Sequence, residues 1–308
     1  MTSLIECAAL TKSFGGNRAL DELNLTVSSG VTAGLVGPNG AGKTTFFSIL
    51  SGFLNATSGT VKILGHHPNT PALKGRIGIL PQDALFMAGI SVQLQLTLFA
   101  QLQGFKKQAA KKETIRVLEL VNAFNLAKQF PETLSHGQRK RVTIAQALIG
   151  QPELILLDEP TSGLDPVAAN EVRVLIQKLS NKSTFIVSSH NLDEIEDICD
   201  QIILIDKGKL IKNCAISELI EQDNCLTLLL DSEISKELKE ELTHHPDISR
   251  IESDPGNPLR ISIYFKSTNP NQFQLKILEI FQGHGAGIIE FSRGAAFTDK
   301  VVNLVKGS

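Results

Sequence analysis

Gly37-Pro38-Asn39-Gly40-Ala41-Gly42-Lys43-Thr44 fits the pattern G-x-x-x-x-G-K-[ST], and its surroundings decide how it is read. Before it, residues 31–36 form a short apolar run of strand character. After it, Phe46, Phe47, Ile49 and Leu50 recur at helical spacing until Gly52 and the turn-rich residues 55–59 stop the pattern. A glycine-rich loop between a strand and a helix turns backbone N–H groups inward at a helix N-terminus, where phosphate oxygens are held. Lys43 then reaches the β and γ phosphates, and the Thr44 hydroxyl ligates Mg²⁺. The phosphate-binding residues predicted here are Gly37, Pro38, Asn39, Gly40, Ala41, Gly42, Lys43, Thr44 and Thr45.

Working outward, residues 4–8, 23–27, 61–64, 77–80 and 183–188 read as further strands, with helices expected over 142–148 and 168–179. The run Leu154-Ile155-Leu156-Leu157 ends in Asp158-Glu159, an aliphatic strand delivering two carboxylates. Aliphatic strands alternating with helices predict an α/β fold with a mainly parallel sheet covered on both faces. From Asp83 to about residue 130 the pattern turns helical, with Ile115, Leu118, Val121 and Phe124 as the expected apolar stripe and Lys106, Lys107, Lys111 and Lys112 as a solvated face. After Cys225 the texture changes: strands over 226–230, 248–252, 259–265 and 288–291 alternate with helices over 235–242 and 272–281, followed by a short helix over 296–305. That order is β-α-β-β-α-β, a ferredoxin-like α+β arrangement, with the boundary expected at 221–224.

Composition narrows the function classes. Thirty Lys+Arg against 32 Asp+Glu leave a net charge of −2, with no basic excess to bind nucleic acid. Cys7, Cys199, Cys214 and Cys225 form no C-x-x-C pair, which argues against a zinc site and a disulfide framework and for a reducing compartment. His66, His67, His244, His245 and His284 show no ligand spacing. The N-terminus lacks the basic region of a signal peptide, and the aliphatic runs fall short of the ~18 residues of a membrane span. Any membrane component is expected in another chain.

Leu134-Ser135-His136-Gly137-Gln138 carries the S-x-x-Q spacing of a capping box, an ordinary helix start that is also a site for anions. Ser135 precedes Asp158 by 23 positions, and in that setting the segment resembles the Leu-Ser-Gly-Gly-Gln signature of the ATP-binding cassette (ABC) family. The resemblance covers about residues 4–220. It implies that Phe14 stacks on adenine, that Gln82 senses the metal and the attacking water, that Asp158 lies beside the metal and that Glu159 is the catalytic base. By the same resemblance Ser162-Gly163-Leu164-Asp165 crosses to a partner subunit, with Asp165 at the nucleotide, and His190 contacts the γ-phosphate. The catalytic set is therefore Glu159, His190 and Gln82; the metal set is Thr44, Gln82 and Asp158; Ser135, Gly137 and Gln138 bind nucleotide across a dimer. His136 departs from the family pattern by replacing the first signature glycine, while Gly137 is retained.

The implied fold is a P-loop NTPase of ABC type over residues 1–222, with a helical subdomain at about 83–149 and a ferredoxin-like accessory domain over 225–308. The implied activity is Mg²⁺-dependent ATP hydrolysis by a cassette that is cytoplasmic and held on the inner face of the cell membrane by a separate permease. It would work as a homodimer or beside a second cassette. Ser189 to Glu196, Cys199-Asp200 and Asp165-Pro166 look more like subunits of drug, lipid or polysaccharide exporters than of importers. A soluble cassette ATPase of translation or DNA repair shares the motifs, but such proteins commonly carry two cassettes or a long coiled-coil insertion, and neither is visible. A guanine-nucleotide protein is disfavoured because Asn181-Lys182-Ser183-Thr184 lacks the aspartate of N-K-x-D.

Overall fold

Strand β1 (Ser3–Phe14) runs well past the expected residues 4–8 and pairs antiparallel with β2 (Asn17–Ser28). Ala9 and Glu22 take positive φ, 48° and 50°, and the register shifts between Cys7 and Leu10. Such bulges reset the alternation of faces, so that Ile5 and Cys7 before the shift and Leu10 after it are all buried and the strand continues. Next come β3 (Thr32–Val36) and α1 (Lys43–Leu50), joined by the glycine loop, and then β4 (Ser58–Ile63), which completes a three-stranded antiparallel sheet of order β2-β1-β4. The computed structural model describes residues 3–82, 84–180, 183–221, 225–254, 256–266, 270–293 and 297–306.

A second sheet positions the site. It contains β5 (Ile77–Leu80), β6 (Leu154–Asp158), β7 (Thr184–Ser188), β8 (Gln201–Asp206) and β9 (Lys209–Ala215) in the order β5-β6-β7-β3-β8-β9. The pairings from β5 to β8 are parallel, and every residue of β3, β6 and β7 is buried. Both faces of a central parallel strand are covered, which is why these segments read as unbroken aliphatic runs. Lys207 and Gly208, with φ of 47° and 79°, make the two-residue turn from β8 to β9.

The helical insert contains α2 (Val92–Leu102), α3 (Lys107–Leu120) and α4 (His136–Ala147). Of the expected stripe Leu118 and Val121 are buried, Ile115 is half-buried and Phe124 is exposed; the inner face of α3 is completed by Ala110, Glu113, Thr114 and Val117. Glu113 can lie on the inner face because Arg116 Nε and Nη2 donate to it at 2.8 and 2.5 Å, and the Gly150 N–H at 2.7 Å. The four lysines of this region are exposed. Helix α4 starts at His136, earlier than the expected residue 142, because the Ser135–Gln138 capping box nucleates it there. Asp83, the expected start of the insert, lies outside the described residues, as do Asn181 and Lys182. Helices α5 (Pro166–Ser180) and α6 (Leu192–Ile198) follow β6 and β7.

Contacts divide the chain into two units, up to Cys214 and from Ala215. The second unit begins with α7 (Ile216–Glu221), where the buried Lys300 Nζ donates to the Leu219 carbonyl. Of residues 221–224, where the boundary was expected, Glu221 ends α7 and 222–224 lie outside the described residues; the division falls earlier, after Cys214. Then come β10 (Cys225–Leu230), α8 (Lys236–His244), β11 (Ile248–Asp254), β12 (Asn257–Phe265), α9 (Pro270–Gly283), β13 (Ile288–Arg293) and α10 (Phe297–Lys306). The strands are antiparallel in the order β11-β12-β10-β13, the split arrangement of a β-α-β-β-α-β chain. Leu226, Leu228, Ile263, Phe273 and Phe281 centre its core. Ala296, the expected first residue of the last helix, lies outside the described residues.

Candidate functional site

The glycine loop leaves β3 at Val36, and a Cβ on Gly37 would run into the carbonyl oxygen of Ile205 in β8. Gly42 has a φ of 106°, open to glycine and strained for other residues, and passes close to the Ala19 carbonyl. No side chain caps the N-terminus of α1, so its first N–H groups are left for an anion. Lys43 Nζ donates to the Gly37 carbonyl at 2.6 Å and the Pro38 carbonyl at 3.1 Å. Burial pushes the Lys43 ammonium below its usual pKa, and the charges of Glu159 and Asp158 act in the opposite direction.

The two carboxylates at the end of β6 are fixed by β7. Asp158 lies beside Ser188 in the parallel register, and the Ser188 hydroxyl donates to Asp158 Oδ1. The Glu159 N–H donates to Ser188 Oγ at 3.0 Å and to the Ser188 carbonyl at 3.2 Å, holding Glu159 at a φ of 49°. A non-glycine residue stays in that region only when its surroundings over-determine it. His190 Nδ1 lies 2.8 Å from Glu159 Oε2. Lys140 Nζ, from α4, donates to the Glu159 carbonyl at 3.3 Å.

One cavity of about 420 Å³ gathers these groups: Asn39 to Thr45 of the loop, Gln82, Asp158, Glu159 and His190, with Ala19 and Ser162 beside them. Thr44, Gln82 and Asp158 offer hydroxyl, amide and carboxylate oxygens there, a hard-oxygen set that suits Mg²⁺, which keeps its waters and takes few protein ligands. Gly37 and Pro38 meet the site through the Lys43 ammonium.

The other expected residues stand apart from that cavity. Phe14 is half exposed, with Lys12 Nζ 5.0 Å from its ring centroid. Ser135 and Gln138 complete the capping box of α4, with Gln138 N donating to Ser135 Oγ at 3.3 Å and Ser135 N to Gln138 Oε1 at 3.0 Å. His136 is exposed. A Cβ on Gly137 would sit 3.0 Å from Ala168 of α5, so close packing of α4 on α5 also asks for glycine there. The Asp165 carboxylate accepts the Val167 and Ala168 N–H groups at 3.1 Å and caps α5.

Ser188, Lys140, Thr161 and Glu194 were not singled out from the sequence. Ser188 carried the faintest signal, as a flank of His190. Glu194 stood only within the string from Ser189 to Glu196 quoted for its exporter likeness, and its pairing with Thr161 left no trace there because Thr161 lies on another loop.

A sequence profile described as ABC transporter matches residues 20–162, and one for an AAA domain matches 131–196. The bacitracin transport ATP-binding protein BcrA of Bacillus licheniformis is 31% identical over 314 residues, covering 100% of this chain and 99% of its own length. The daunorubicin/doxorubicin resistance ATP-binding protein DrrA of Streptomyces peucetius is 31% identical, covering 99% of this chain and 93% of its own. Among solved structures, an ATP-binding cassette of an ABC transporter superposes with a TM-score of 0.63 at 26% identity, over 70% of this chain and 92% of that one.

Proposed function

The chain belongs to the ABC transporter family as an ATP-binding subunit, and on that premise we propose that Glu159 and His190 form its hydrolytic pair at the cavity around Lys43. It is an ATPase whose hydrolysis drives a separate membrane permease of exporter type. The observation that carries the residue assignment is the 2.8 Å approach of His190 to Glu159 at the mouth of the phosphate loop.

The chemistry follows from the placement of the groups. The N–H groups of the loop and of the first turn of α1 cradle the phosphates, and Lys43 exchanges its bonds to the Gly37 and Pro38 carbonyls for phosphate oxygens. Glu159 accepts the proton of the attacking water through Oε1, because Oε2 is held by His190. His190 fixes the carboxylate through Nδ1, and its imidazole is read as the group that contacts the γ-phosphate, where the ring has to donate because phosphate oxygens only accept. Mg²⁺ held by Thr44, Gln82 and Asp158 would supply charge neutralisation at the β and γ phosphates.

Phe14 is read as the adenine platform by the family resemblance, and its half-exposed ring is available for stacking. Ser135, Gly137, Gln138 and Asp165 lie outside the cavity of their own chain, which supports their use in trans: in a two-fold dimer each would face the partner's loop. Among the described residues no helix is long and apolar enough to cross a membrane. Attachment to the inner face of the cell membrane is therefore assigned to the permease.

BcrA and DrrA are named for bacitracin transport and daunorubicin/doxorubicin resistance, and they support export as the direction. The test is twofold. Lys43→Ala should abolish phosphate release, since it leaves developing phosphate charge uncompensated at a cost of about 3–4 kcal/mol. The wild-type chain should copurify from solubilised membranes with a polytopic protein. Wild-type turnover in Lys43→Ala would sink the site assignment, and a chain purified from membranes without such a partner would sink the transport assignment.

A further inference from the structure

Glu194 stands in the first turn of α6, is 2% exposed and has no part in the chemistry above. Its carboxyl oxygens accept from two hydroxyls: Thr161 Oγ1, whose one proton is shared between them at 2.7 and 2.8 Å, and Ser189 Oγ at 2.6 Å. Thr161 lies two residues beyond Glu159 on the loop from β6 to α5, and Ser189 immediately precedes His190 on the loop from β7 to α6. One side chain therefore ties together the two loops that carry the hydrolytic pair. Glu194 is itself seated by Asn191, whose Oδ1 accepts the Asp193 and Glu194 N–H groups at 3.0 and 3.3 Å. The Asn191 N–H in turn donates to Ser189 Oγ at 3.1 Å.

His190 needs such a clamp. Its side chain is 68% exposed and among the described residues it bonds Glu159, so the placement of the backbone on either side sets the reach of the imidazole. On the β7 side, Ser188 bonds Asp158 and the Glu159 N–H. On the α6 side, Ser189 is held by Glu194. A buried carboxyl is costly unless its acceptors are filled, and the fillers here come from both loops. Thr161, Ser189, His190 and Glu194 also line a cavity of about 360 Å³, space into which the loops can relax when the clamp is cut.

We propose that Glu194 is a positioning residue for ATP hydrolysis, holding Thr161 and Ser189 on one carboxyl group and thereby setting the distance of His190 from Glu159. The proposal rests on the reading of Glu159 and His190 as the hydrolytic pair. Loss of the clamp misplaces a group that must be aligned in the transition state and leaves the phosphate loop intact, so turnover falls while nucleotide affinity is kept.

The test uses the full-length chain, with phosphate release for turnover and a non-hydrolysable ATP analogue for affinity. Glu194→Ala should lower kcat by about 10- to 100-fold and change the analogue's Kd by less than about threefold. Glu194→Gln should recover kcat to within about threefold of wild type, because its amide oxygen accepts from one hydroxyl and its amide nitrogen donates to the other. Thr161→Val and Ser189→Ala, which spare Glu194, should each slow turnover, and Thr161→Val should add nothing to Glu194→Ala. A wild-type kcat in Glu194→Ala would overturn the proposal. Parallel loss of turnover and analogue binding, without rescue by Glu194→Gln, would reduce Glu194 to a fold residue. If Glu194→Ala fails to fold, wild-type kcat in both hydroxyl variants overturns the proposal equally. Glu159→Gln run alongside separates the two claims: wild-type turnover there defeats the hydrolytic pair itself, whereas an inactive Glu159→Gln beside a fully active Glu194→Ala defeats only the clamp.

Discussion

His190 Nδ1 lies 2.8 Å from Glu159 Oε2 across 31 positions of sequence, and the parallel register of two strands makes that approach possible. Asp158 and Ser188 are partners at the ends of β6 and β7, so the residues just beyond them emerge side by side at the carboxyl edge of the sheet. In open parallel sheets that edge is where ligands bind, because loops and helix N-termini converge there. Glu159 is one residue past its strand and His190 two past its own.

Replacing Glu159 by glutamine keeps the shape and a hydrogen bond to His190 but removes the proton acceptor. Turnover should fall by roughly 10²- to 10⁴-fold while the chain still binds ATP. Phosphate release and equilibrium nucleotide binding on the same preparation decide it.

Glu113 gives the fold an acid-sensitive joint between α3 and the end of α4, where Arg116 Nη2 also donates to the Leu148 carbonyl at 2.9 Å. Burial alone would raise the Glu113 pKa, but the hydrogen bonds from Arg116 and the Gly150 N–H, with the Arg116 charge, outweigh it and hold the pKa below the ordinary 4.5. A lowered folded pKa contributes stability that is fully present above 4.5 and is lost as pH falls through the folded value. Glu113→Gln should cost about 1–3 kcal/mol near neutral pH, with the difference from wild type narrowing in acid. Urea unfolding across that range measures it.

His136 separates the two uses of Leu134 to Gln138. The cap is made by Ser135 and Gln138, so His136→Gly should alter stability by no more than about 0.5 kcal/mol. Position 136 would face the partner's nucleotide in a dimer, so the same change should alter turnover by more than about twofold, roughly 0.4 kcal/mol in barrier height. Identical rates in the two proteins would remove His136 from the site.

Every residue assigned to nucleotide lies before Cys214, and the second unit has its own core. A chain ending at residue 215 should be soluble and bind ATP with an affinity within about threefold of the full-length protein. A folded truncation that no longer binds nucleotide would make the second unit part of the site.

The phosphate loop, the capping box at Ser135 and the β-α-β-β-α-β order of the last eighty residues were legible in the sequence, because each depends on spacings of a few residues along one segment. The aliphatic run ending in Asp158-Glu159 was legible for a related reason: a strand buried on both faces leaves no polar alternation. Tertiary structure alone decided the rest. The bulges at Ala9 and Glu22 extend β1 and β2 through backbone torsions that no side-chain pattern encodes. The inner face of α3 admits Glu113 only because Arg116 and the Gly150 N–H satisfy it there. Whether a buried acid such as Glu194 is a liability or a clamp depends on donors that strand order brings to it, and Thr161 reaches it from 33 positions away.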